Sequence, residues 1–457
     1  MNKTLLTDLY QLTMDAAYAD NGKDDTATFE LFVRKLPANW GYYIANGIEE
    51  AIDYITTIKA DTAELEKLRE RNILPESYIE QLKSFKFEGD VHALKEGTPF
   101  FPEEPVMRVT AKRSQAQFIE TTLLNIINFQ TMIATKANRV VNAAREDKGR
   151  EAKIVDFGLR RAQGEDAGMK GARAAYIAGA AGTSNVKAGL EYGLPIVGTH
   201  AHSFVMSFPS ELEAFRAYTK TFPDNATLLI DTYDTVEGAQ NAAIVAKELE
   251  FQGHRLGAVR LDSGDLADLS KKVRRLLDDE GLQYVRIVAS NDLNENKIAE
   301  LVSRGAPIDA YGVGTEMITA KPVAAIPGVY KIVEDNDGGK MKHSTGKKSH
   351  PGKHQVYRME KRGAYTHDVI ALEGESIGGK PLLEQVIKDG ARVRPIPTLN
   401  ETREHVRTEV AKFHHSVRDI GSYRPYDVKE SDGLQRLTAK LTAKHLYTPE
   451  ELALSYA

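Results

Sequence analysis

From about residue 150 to residue 320 the sequence repeats one pattern, in which a short apolar run rich in β-branched residues is followed by a polar or Gly-rich end and then by a helical stretch. Alternation of apolar strands with helices predicts a parallel sheet covered by helices. The spacing of the runs is that of the βα units of an α/β barrel. The seven candidate strands are KIVDFG, AAGTSN, PIVGTHAHS, TLLIDTYDT, GAVRLDSGDL, YVRIVASNDL and IDAYGVGTE.

Closure of these strands into a barrel would bring all their carboxyl ends to one mouth, where barrel enzymes carry their active sites. Polar residues are concentrated at these ends, which is the segregation that such a site produces. We therefore predict a functional site at the mouth. Its candidate residues are Asp156, Arg160, Thr183, Ser184, His202, Asp231, Asp234, Asp262, Asp265, Ser290, Asn291 and Gly312 to Thr315.

The sequence on either side of this region lacks the regular alternation. Residues 1–120 mix strand-like pieces with helices and predict an α+β domain, onto which we expect residues 326–400 to pack. Residues 121–325 form the predicted α/β barrel catalytic domain. Residues 401–457 form a predicted helical tail with one apolar face, marked by Val406, Val410, Phe413, Val417 and Ile420.

Composition excludes several kinds of chemistry. The 457 residues include no cysteine, so disulfides, iron–sulfur clusters, thiolate zinc sites and cysteine nucleophiles are all excluded. A net charge of −5 gives no general reason to expect nucleic acid or a membrane surface as a partner. We find no signal-peptide pattern and no run near the roughly 20 apolar residues of a membrane helix, and so expect a cytoplasmic protein.

The stretch GTHAHSFVMSF carries His200 and His202. From the residues alone, these histidines could ligate a metal, make ordinary loop contacts, or supply a nucleophile or proton carrier at the barrel mouth. Two histidines without a third ligand at a suitable spacing do not make a metal site, so we predict no fixed protein metal site. A nucleophilic imidazole needs its second nitrogen held, and Asp231 at the next strand end could supply that carboxylate.

Two further stretches allow a structural and a functional interpretation. Arg260 and Asp262 in VRLDSGDL either recognise an anionic or sugar-bearing ligand or form an internal ion pair. Phe157 in VDFGLRRAQG either offers a stacking face beside Arg160 or belongs to the core.

Phosphate contacts are predicted in three places. ASNDLNE and YGVGTEM are turns whose backbone N–H groups can cradle a phosphate, and they hold Ser290, Asn291, Gly312, Gly314 and Thr315. The Lys-rich segment 340–358 either contacts phosphates or forms a solvated hairpin. Neither GxGxxG nor the Walker sequence is present, so a dinucleotide fold and a P-loop are not supported.

Taken in order, nine stretches make the chain similar to the nicotinate phosphoribosyltransferase family over nearly its whole length. They are LLTDLYQLTM, FELFVRKLP, DFGLRRAQG, GTSNVKAG, GTHAHSFVMSF, LLIDTYDT, VRLDSGDL, YGVGTEM and PGKHQVYR. The resemblance implies an irregular seven-stranded parallel α/β barrel of the type II phosphoribosyltransferase kind plus an α+β domain.

The resemblance also implies an activity. Family members join nicotinate and phosphoribosyl pyrophosphate into nicotinate mononucleotide and pyrophosphate in NAD biosynthesis and salvage, coupled to ATP hydrolysis through a phosphohistidine. An ATP-dependent ligase that forms a C–N bond, uses Mg²⁺ and assembles as a homodimer is therefore expected. The alternatives are a nicotinamide or quinolinate phosphoribosyltransferase and a catalytically inactive phosphosugar-binding barrel.

Residue roles follow from the same resemblance. The phosphate acceptor is His202, to which His200 is only adjacent. Asp231 is expected to be the acceptor's partner, and Asp262 to lie near the ribose hydroxyls. In the nicotinamide-using relatives an aspartate stands where Ser184 stands here, which favours an anionic substrate because a second carboxylate would repel nicotinate. The expected substrate-binding residues are Tyr10, Phe157, Arg160, Ser184, Thr199 and Arg260, and the expected phosphate-binding residues are Ser290, Asn291, Gly312, Gly314 and Thr315.

Overall fold

The computed structural model describes residues 4–145, 151–342, 349–421 and 423–446. The chain divides into two compact units, the first made of residues 1–132 and 325–457 and the second of residues 133–324. The predicted boundary at 120/121 instead marks the beginning of a helix, Glu120–Ala143, and the units divide within that helix. The apolar period of a helix is the same in either core, so the pattern does not show where one core gives way to the next.

The N-terminal part of the first unit alternates short helices with strands. Its elements are α1 (Leu9–Asp20), β1 (Thr26–Val33), β2 (Tyr43–Ile44), α2 (Ile48–Thr57), α3 (Thr62–Glu70), α4 (Glu76–Lys83), β3 (Asp90–Leu94), β4 (Pro99–Phe100), β5 (Pro105–Lys112), α5 (Arg113–Phe118) and the shared α6 (Glu120–Ala143).

The second unit follows α6 and shows the βα alternation. Its elements are β6 (Lys153–Asp156), a 3-10 turn at Leu159–Arg161, α7 (Glu165–Ile177), β7 (Gly182–Thr183), α8 (Val186–Tyr192), α9 (His202–Met206), α10 (Glu211–Thr221), β8 (Thr227–Leu229), α11 (Thr235–Phe251), β9 (Ala258–Leu261), α12 (Leu266–Asp279), β10 (Arg286–Ala289), α13 (Glu295–Ser303), β11 (Ala310–Val313) and α14 (Thr315–Ile318).

The chain then returns to the first unit. The remaining elements are β12 (Gly328–Asp335), β13 (Gly338–Gly339), β14 (His354–Lys361), β15 (Ala364–Leu372), β16 (Lys380–Pro381), β17 (Leu383–Lys388), β18 (Ala391–Arg392), α15 (Leu399–Ala411), α16 (His415–Arg418), β19 (Val428–Glu430) and α17 (Asp432–Leu446).

The first unit is built mainly on antiparallel strands, with one parallel pair between β15 and β19. Its larger sheet has the order β13-β12-β1-β5-β3-β17-β18, in which β1 pairs antiparallel with both β12 and β5. A smaller sheet has the order β16-β14-β15-β19. Strands from both ends of the sequence thus form one sheet, because β1, β3 and β5 take β12 and β17 as neighbours.

The second unit contains a parallel sheet of six strands in the order β7-β6-β11-β10-β9-β8. These are six of the seven predicted strands. The seventh segment, PIVGTHAHS, makes a single parallel bridge between Ile196 and Thr183 of β7, with backbone hydrogen bonds from Thr183 N to Pro195 O and from Val197 N to Thr183 O. Its ladder is too short to be a strand, since Gly198 and the polar residues after it end the apolar run.

Helix ends account for two of the predicted mouth residues. The Asp234 side chain accepts hydrogen bonds from Val236 N and Glu237 N at the beginning of α11. Asp265 does the same for the first turn of α12. These two carboxylates cap helices, as short acidic side chains do at the residue before a helix begins.

The C-terminal residues belong to the first unit. The predicted apolar face is buried at Val406, Val410, Phe413 and Val417, but it is shared between α15 and α16 because the first helix ends at Ala411. Residues 447–457 of the predicted tail lie outside the described residues. In the part of the chain that is described, we find no helix with the length and apolar content needed to cross a bilayer.

Candidate active site

Arg260 of β9 is the centre of the polar cluster at the carboxyl ends of the parallel strands. Its Nε donates to Ser290 Oγ at 2.8 Å, its Nη1 to Thr199 Oγ1 at 2.9 Å and its Nη2 to Asp262 Oδ1 at 2.8 Å. Ser290 directly follows β10 and Thr199 precedes α9, so one guanidinium ties together three chain segments. The side chain is 13% exposed and therefore held, yet open on one side.

Phe157 lies beneath this guanidinium, with its ring centroid 5.5 Å from Arg260 Cζ. The ring has room because residue 312 on the neighbouring strand is a glycine, where a Cβ would come within 2.4 Å of it. Asp156, just before the ring, is buried and accepts hydrogen bonds from Gly158 N at 2.8 Å and Thr183 Oγ1 at 2.7 Å. Burial raises the pKa of Asp156, and both bonds fix the backbone that carries the ring.

Asp231 follows β8 and joins this strand to β9. Its Oδ2 accepts hydrogen bonds from Asp262 N at 2.8 Å and from Ser263 Oγ at 2.6 Å. Its Oδ1 is buried with no hydrogen-bond partner. The structure thus places the Asp231 carboxylate on the turn after β9, whereas the resemblance predicts it as the partner of His202.

His202 begins α9, and 40% of its side chain is exposed. Its Nδ1 lies 3.1 Å from Thr232 Oγ1, and its Nε2 lies 3.8 Å from Asp262 Oδ2. The sequence interpretation missed Thr232, which follows Asp231 directly in LLIDTYDT and could have been found as a second polar residue at that strand end. An accessible imidazole with one nitrogen held and a carboxylate near the other can act as a nucleophile.

His200 points away from this cluster. It is 8% exposed, its Nε2 accepts a hydrogen bond from Leu229 N at 3.1 Å, and its Nδ1 lies 3.4 Å from Ala201 O. Burial lowers the pKa of His200, an effect that the contact with the Ala201 carbonyl opposes. His200 is therefore a neutral core histidine with a specific backbone contact.

The predicted phosphate-binding residues lie at the carboxyl ends of two neighbouring strands: Ser290 and Asn291 follow β10, while Gly312 belongs to β11 and Gly314 and Thr315 follow it. Ser290 is buried, and its Oγ accepts from Arg260 and donates to Asp262, so it links those two side chains. Asn291 is exposed after β10 with a φ of 94°, a value rare outside glycine and frequent at functional turns. Gly314 and Thr315 are half-buried after β11, the strand that pairs with both β10 and β6.

Among the described residues, three of the predicted substrate-binding residues make neither a hydrogen bond nor a ring contact with Arg260. Arg160 is exposed in the 3-10 turn after β6. Ser184 is half-buried after β7, with its backbone N donating to Asp156 O at 2.8 Å. Tyr10 belongs to the first unit, on α1, and is 47% exposed. Residues 343–348 of the predicted Lys-rich segment lie outside the described residues.

Metal-binding potential at this edge is limited to isolated carboxylates. Among the described residues, no group of three or more histidine, aspartate or glutamate side chains has the arrangement needed to hold a metal ion by itself. Asp231 and Asp262 nevertheless offer oxygen atoms of the type that Mg²⁺ prefers.

A parallel α/β sheet that gathers an arginine, two carboxylates and an accessible imidazole at its carboxyl edge defines an α/β protein with a ligand site in that position. Models of the nicotinate phosphoribosyltransferase (NAPRTase) N-terminal domain, of the NAPRTase family and of the nicotinate phosphoribosyltransferase C-terminal domain match residues 5–128, 152–348 and 377–438. The chain belongs to the nicotinate phosphoribosyltransferase family, which confirms the resemblance carried by the nine motifs.

Relatives match the chain over almost its full length. Nicotinate phosphoribosyltransferase pncB2 of Mycobacterium tuberculosis is 41% identical over 450 residues, covering 98% of this chain and 95% of the relative. Nicotinate phosphoribosyltransferase of Bacillus subtilis is 42% identical over 462 residues, covering 94% and 93%. The crystal structure of human nicotinic acid phosphoribosyltransferase matches with a TM-score of 0.84 at 28% identity, covering 95% of this chain and 99% of that one.

Proposed function

We propose that this protein joins nicotinate to phosphoribosyl pyrophosphate, forming nicotinate mononucleotide and pyrophosphate, and that ATP hydrolysis drives the reaction through a phosphohistidine at His202. The observation that carries the proposal is the linkage of His202 to Asp262, whose other oxygen binds Arg260. An accessible nucleophile and an anion-binding arginine thereby share one carboxylate.

Arg260 and Phe157 suit an aromatic acid. Three of the five N–H groups of Arg260 are used by Ser290, Thr199 and Asp262, which leaves one N–H on each terminal nitrogen. Two N–H groups side by side can bind a carboxylate at both oxygens. A pyridine ring held by such a carboxylate contact would lie beside the aromatic face of Phe157.

His202 suits the acceptor role because its two nitrogens are in different environments. Nδ1 is held by Thr232, so Nε2 is the nitrogen left to attack the terminal phosphorus of ATP. In that step an N–P bond forms, the bond from phosphorus to the bridging oxygen breaks, and the electron pair leaves with ADP. The Asp262 carboxylate, 3.8 Å away, stabilises the positive charge on the ring.

Asp231 and Asp262 suit a phosphoribosyl substrate carried with Mg²⁺. The buried, unpartnered Oδ1 of Asp231 is the kind of oxygen that a cation or a ribose hydroxyl would satisfy. Bound Mg²⁺ supplies charge neutralisation on the pyrophosphate leaving group. The pyridine nitrogen needs no general base, so the chain's residues act mainly by holding both reactants in line, an effect worth roughly 7–11 kcal/mol.

We extend the proposal to the assembly. Closure of the parallel strands into a seven-stranded barrel is supported by the Thr183–Ile196 bridge at one edge of the sheet and the His200–Leu229 contact at the other. A cytoplasmic homodimer is the form expected of this family. Light scattering should give twice the chain mass; a monomer at assay concentration would contradict that part.

The substrate is tested by product formation from nicotinate, nicotinamide and quinolinate, each with and without ATP. We expect nicotinate mononucleotide from nicotinate, at a rate that ATP increases. Quinolinate turnover without ATP would instead support a quinolinate phosphoribosyltransferase, and preference for nicotinamide would support the nicotinamide enzyme. No turnover of any of the three would support a phosphosugar-binding barrel.

The phosphohistidine is tested with γ-labelled ATP. Wild type should retain label on the protein, whereas His202→Ala should not and should still transfer slowly without ATP. His254→Ala is the matched control. His254 is not part of the Arg260 cluster, and its Nδ1 lies 2.7 Å from Asp224 Oδ1, so this variant should keep its label. Equal labelling of wild type and His202→Ala would contradict the assignment.

A further inference from the structure

His200 occupies the free edge of the parallel sheet. Directly after β8, Ile230 N donates to Arg260 O of β9. Successive N–H groups of an extended chain point to opposite sides, so Leu229 N, the last of β8, faces away from β9. No strand among the described residues pairs with β8 on that side, since β8 ends the sheet order. The Nε2 atom of His200 accepts this N–H at 3.1 Å, in a contact that is buried.

The contact fixes the chemical form of His200. A backbone N–H can only donate, so Nε2 must be unprotonated and Nδ1 must carry the proton, which faces Ala201 O at 3.4 Å. An imidazolium could not accept this bond. Burial disfavours the charged form here, as does the nearby charge of Arg260.

The contact is one of two that join the same two chain segments, one carrying His200 and His202 and the other carrying Leu229 and Thr232. His200 contacts Leu229 N, and His202, two residues further along, lies 3.1 Å from Oγ1 of Thr232, which is three residues beyond Leu229. Asp231, which holds the turn after β9, stands between Leu229 and Thr232 on the second segment. Movement of the His200 link would therefore change both the setting of the His202 ring and the position of Asp231.

Three aromatic side chains also pack near the ring. The His200 centroid lies 4.8 Å from that of Tyr218, 5.4 Å from that of Phe204 and 6.2 Å from that of Phe215. Phe204 belongs to α9, and the other two rings belong to α10. Packing alone would be satisfied by any ring of this size, so the acceptor nitrogen is the property that distinguishes histidine.

We propose that His200 is a positioning residue, which takes the place of a neighbouring strand at the edge of β8 and so sets His202 and Asp231 for phosphoryl transfer. The role in catalysis rests on the proposed function of His202. The proposal adds to the sequence interpretation, in which His200 is only adjacent to the acceptor.

Two variants separate the acceptor nitrogen from the ring. His200→Phe keeps the aromatic contacts and loses the acceptor, while His200→Gln loses the ring but carries an amide oxygen that can accept the Leu229 N–H. The rate of phosphoenzyme formation from γ-labelled ATP should fall about 10- to 100-fold in His200→Phe, the cost of a displacement of up to about 1 Å, and should recover in His200→Gln. Tyr218→Leu, which loosens the packing alone, should lower the melting temperature without changing that rate.

The opposite pattern would overturn the proposal. Equal phosphoenzyme rates in wild type and His200→Phe, or equal losses in His200→Phe and His200→Gln at matched stability, would make His200 a packing residue. If wild type itself forms no phosphoenzyme, the His202 assignment fails. The ATP-free reaction then tests His200 separately through Asp231, where we expect His200→Phe to raise KM for phosphoribosyl pyrophosphate more than it lowers kcat.

The tautomer gives a test that is read on the wild-type protein, with a variant used only to assign the signal. Nitrogen-15 spectra of histidine-labelled wild type at neutral pH, with His200→Gln used for assignment, should show an unprotonated Nε2 and a protonated Nδ1 for His200. A protonated Nε2 could not accept from Leu229 and would overturn the proposal whatever the kinetics show.

Discussion

Arg260 in the second unit and Arg358 in the first each pair with an aspartate and lie against aromatic rings, but their surroundings differ. Arg358 and Asp368 are both 0% exposed, joined at 2.6 Å, and the guanidinium lies within 6 Å of the rings of Phe101, Tyr365 and Phe413. Arg260 meets one ring and is bound by three different chain segments. An Arg–Asp pair is thus a sealed structural pair in the first unit and part of an accessible site in the second. The two pairs differ in burial, since only Arg358 and Asp368 are enclosed on all sides.

The largest effect should come from opening the sealed pair. Arg358→Met would leave the Asp368 carboxylate buried without its cation, which costs about 3–5 kcal/mol in the free energy of unfolding. Denaturant unfolding measures this loss. The double variant Arg358→Met/Asp368→Leu should recover most of the stability, because two apolar groups need no partner. If the single variant were as stable as wild type but inactive, the contrast between the two arginines would be wrong.

Arg260→Lys tests the other side of the comparison. Lysine keeps the charge but cannot present a fork, so kcat/KM for nicotinate should fall about 100- to 1,000-fold. The free energy of unfolding should change by less than half the Arg358→Met value, since the site is open on one side. Steady-state kinetics and denaturant unfolding on the same preparation separate the two effects. A stability loss equal to that of Arg358→Met would mean that Arg260 is also a structural pair.

A smaller effect is expected from charge added next to the accessible site. Ser184→Asp would place a second carboxylate after β7 and should lower the ratio of kcat/KM for nicotinate to that for nicotinamide by about tenfold. Ser184→Asn is the matched control, with nearly the same shape and no charge. Identical ratios in both variants would remove the charge argument and leave Ser184 outside the substrate site.

The smallest effect concerns pH and sharpens the description of the sealed cluster. Burial, and then the charge of Asp368, raise the pKa of Glu104 well above its ordinary value near 4.5, so the folded protein binds a proton that the unfolded chain releases. This stabilisation is present at low pH and is lost as the pH rises through the folded-state pKa. Glu104→Gln should therefore flatten the fall in unfolding free energy between pH 5 and pH 9.

At pH 5 the wild type and Glu104→Gln should differ in unfolding free energy by about 1 kcal/mol or less, because the amide oxygen can still accept from Phe101 N. Parallel pH profiles for wild type and variant would contradict the assignment.

Sequence patterns predicted the elements of the second unit better than their lateral contacts. Apolar runs and turn residues locate six of the strands because both signals are local. Arg260 bonds to Thr199 and Ser290, respectively 61 and 30 residues away, and these contacts depend on strand order, which no local pattern records. The helix-capping roles of Asp234 and Asp265 could have been read from sequence, since each stands directly before a helical run.

The site roles depended on recognition of the family and not on physical pattern. Nothing near His202 in the sequence distinguishes it from His200, because the two differ only in which way the chain turns after Thr199. The structure separates them by burial and by partner: a backbone amide for His200, and Thr232 with Asp262 for His202. The sequence likewise did not predict the Arg358–Asp368 pair, since its burial on every side depends on residues contributed by distant segments.

The absence of a side chain at position 312 sets a limit on redesign of this pocket. A methyl group there would come within 2.4 Å of the Phe157 ring, so even the smallest substitution must displace the ring that lies against Arg260. Variant libraries that aim to widen the range of ligands should keep Gly312 and vary residue 157 instead. A smaller side chain at position 157 creates space, whereas any side chain at position 312 removes it.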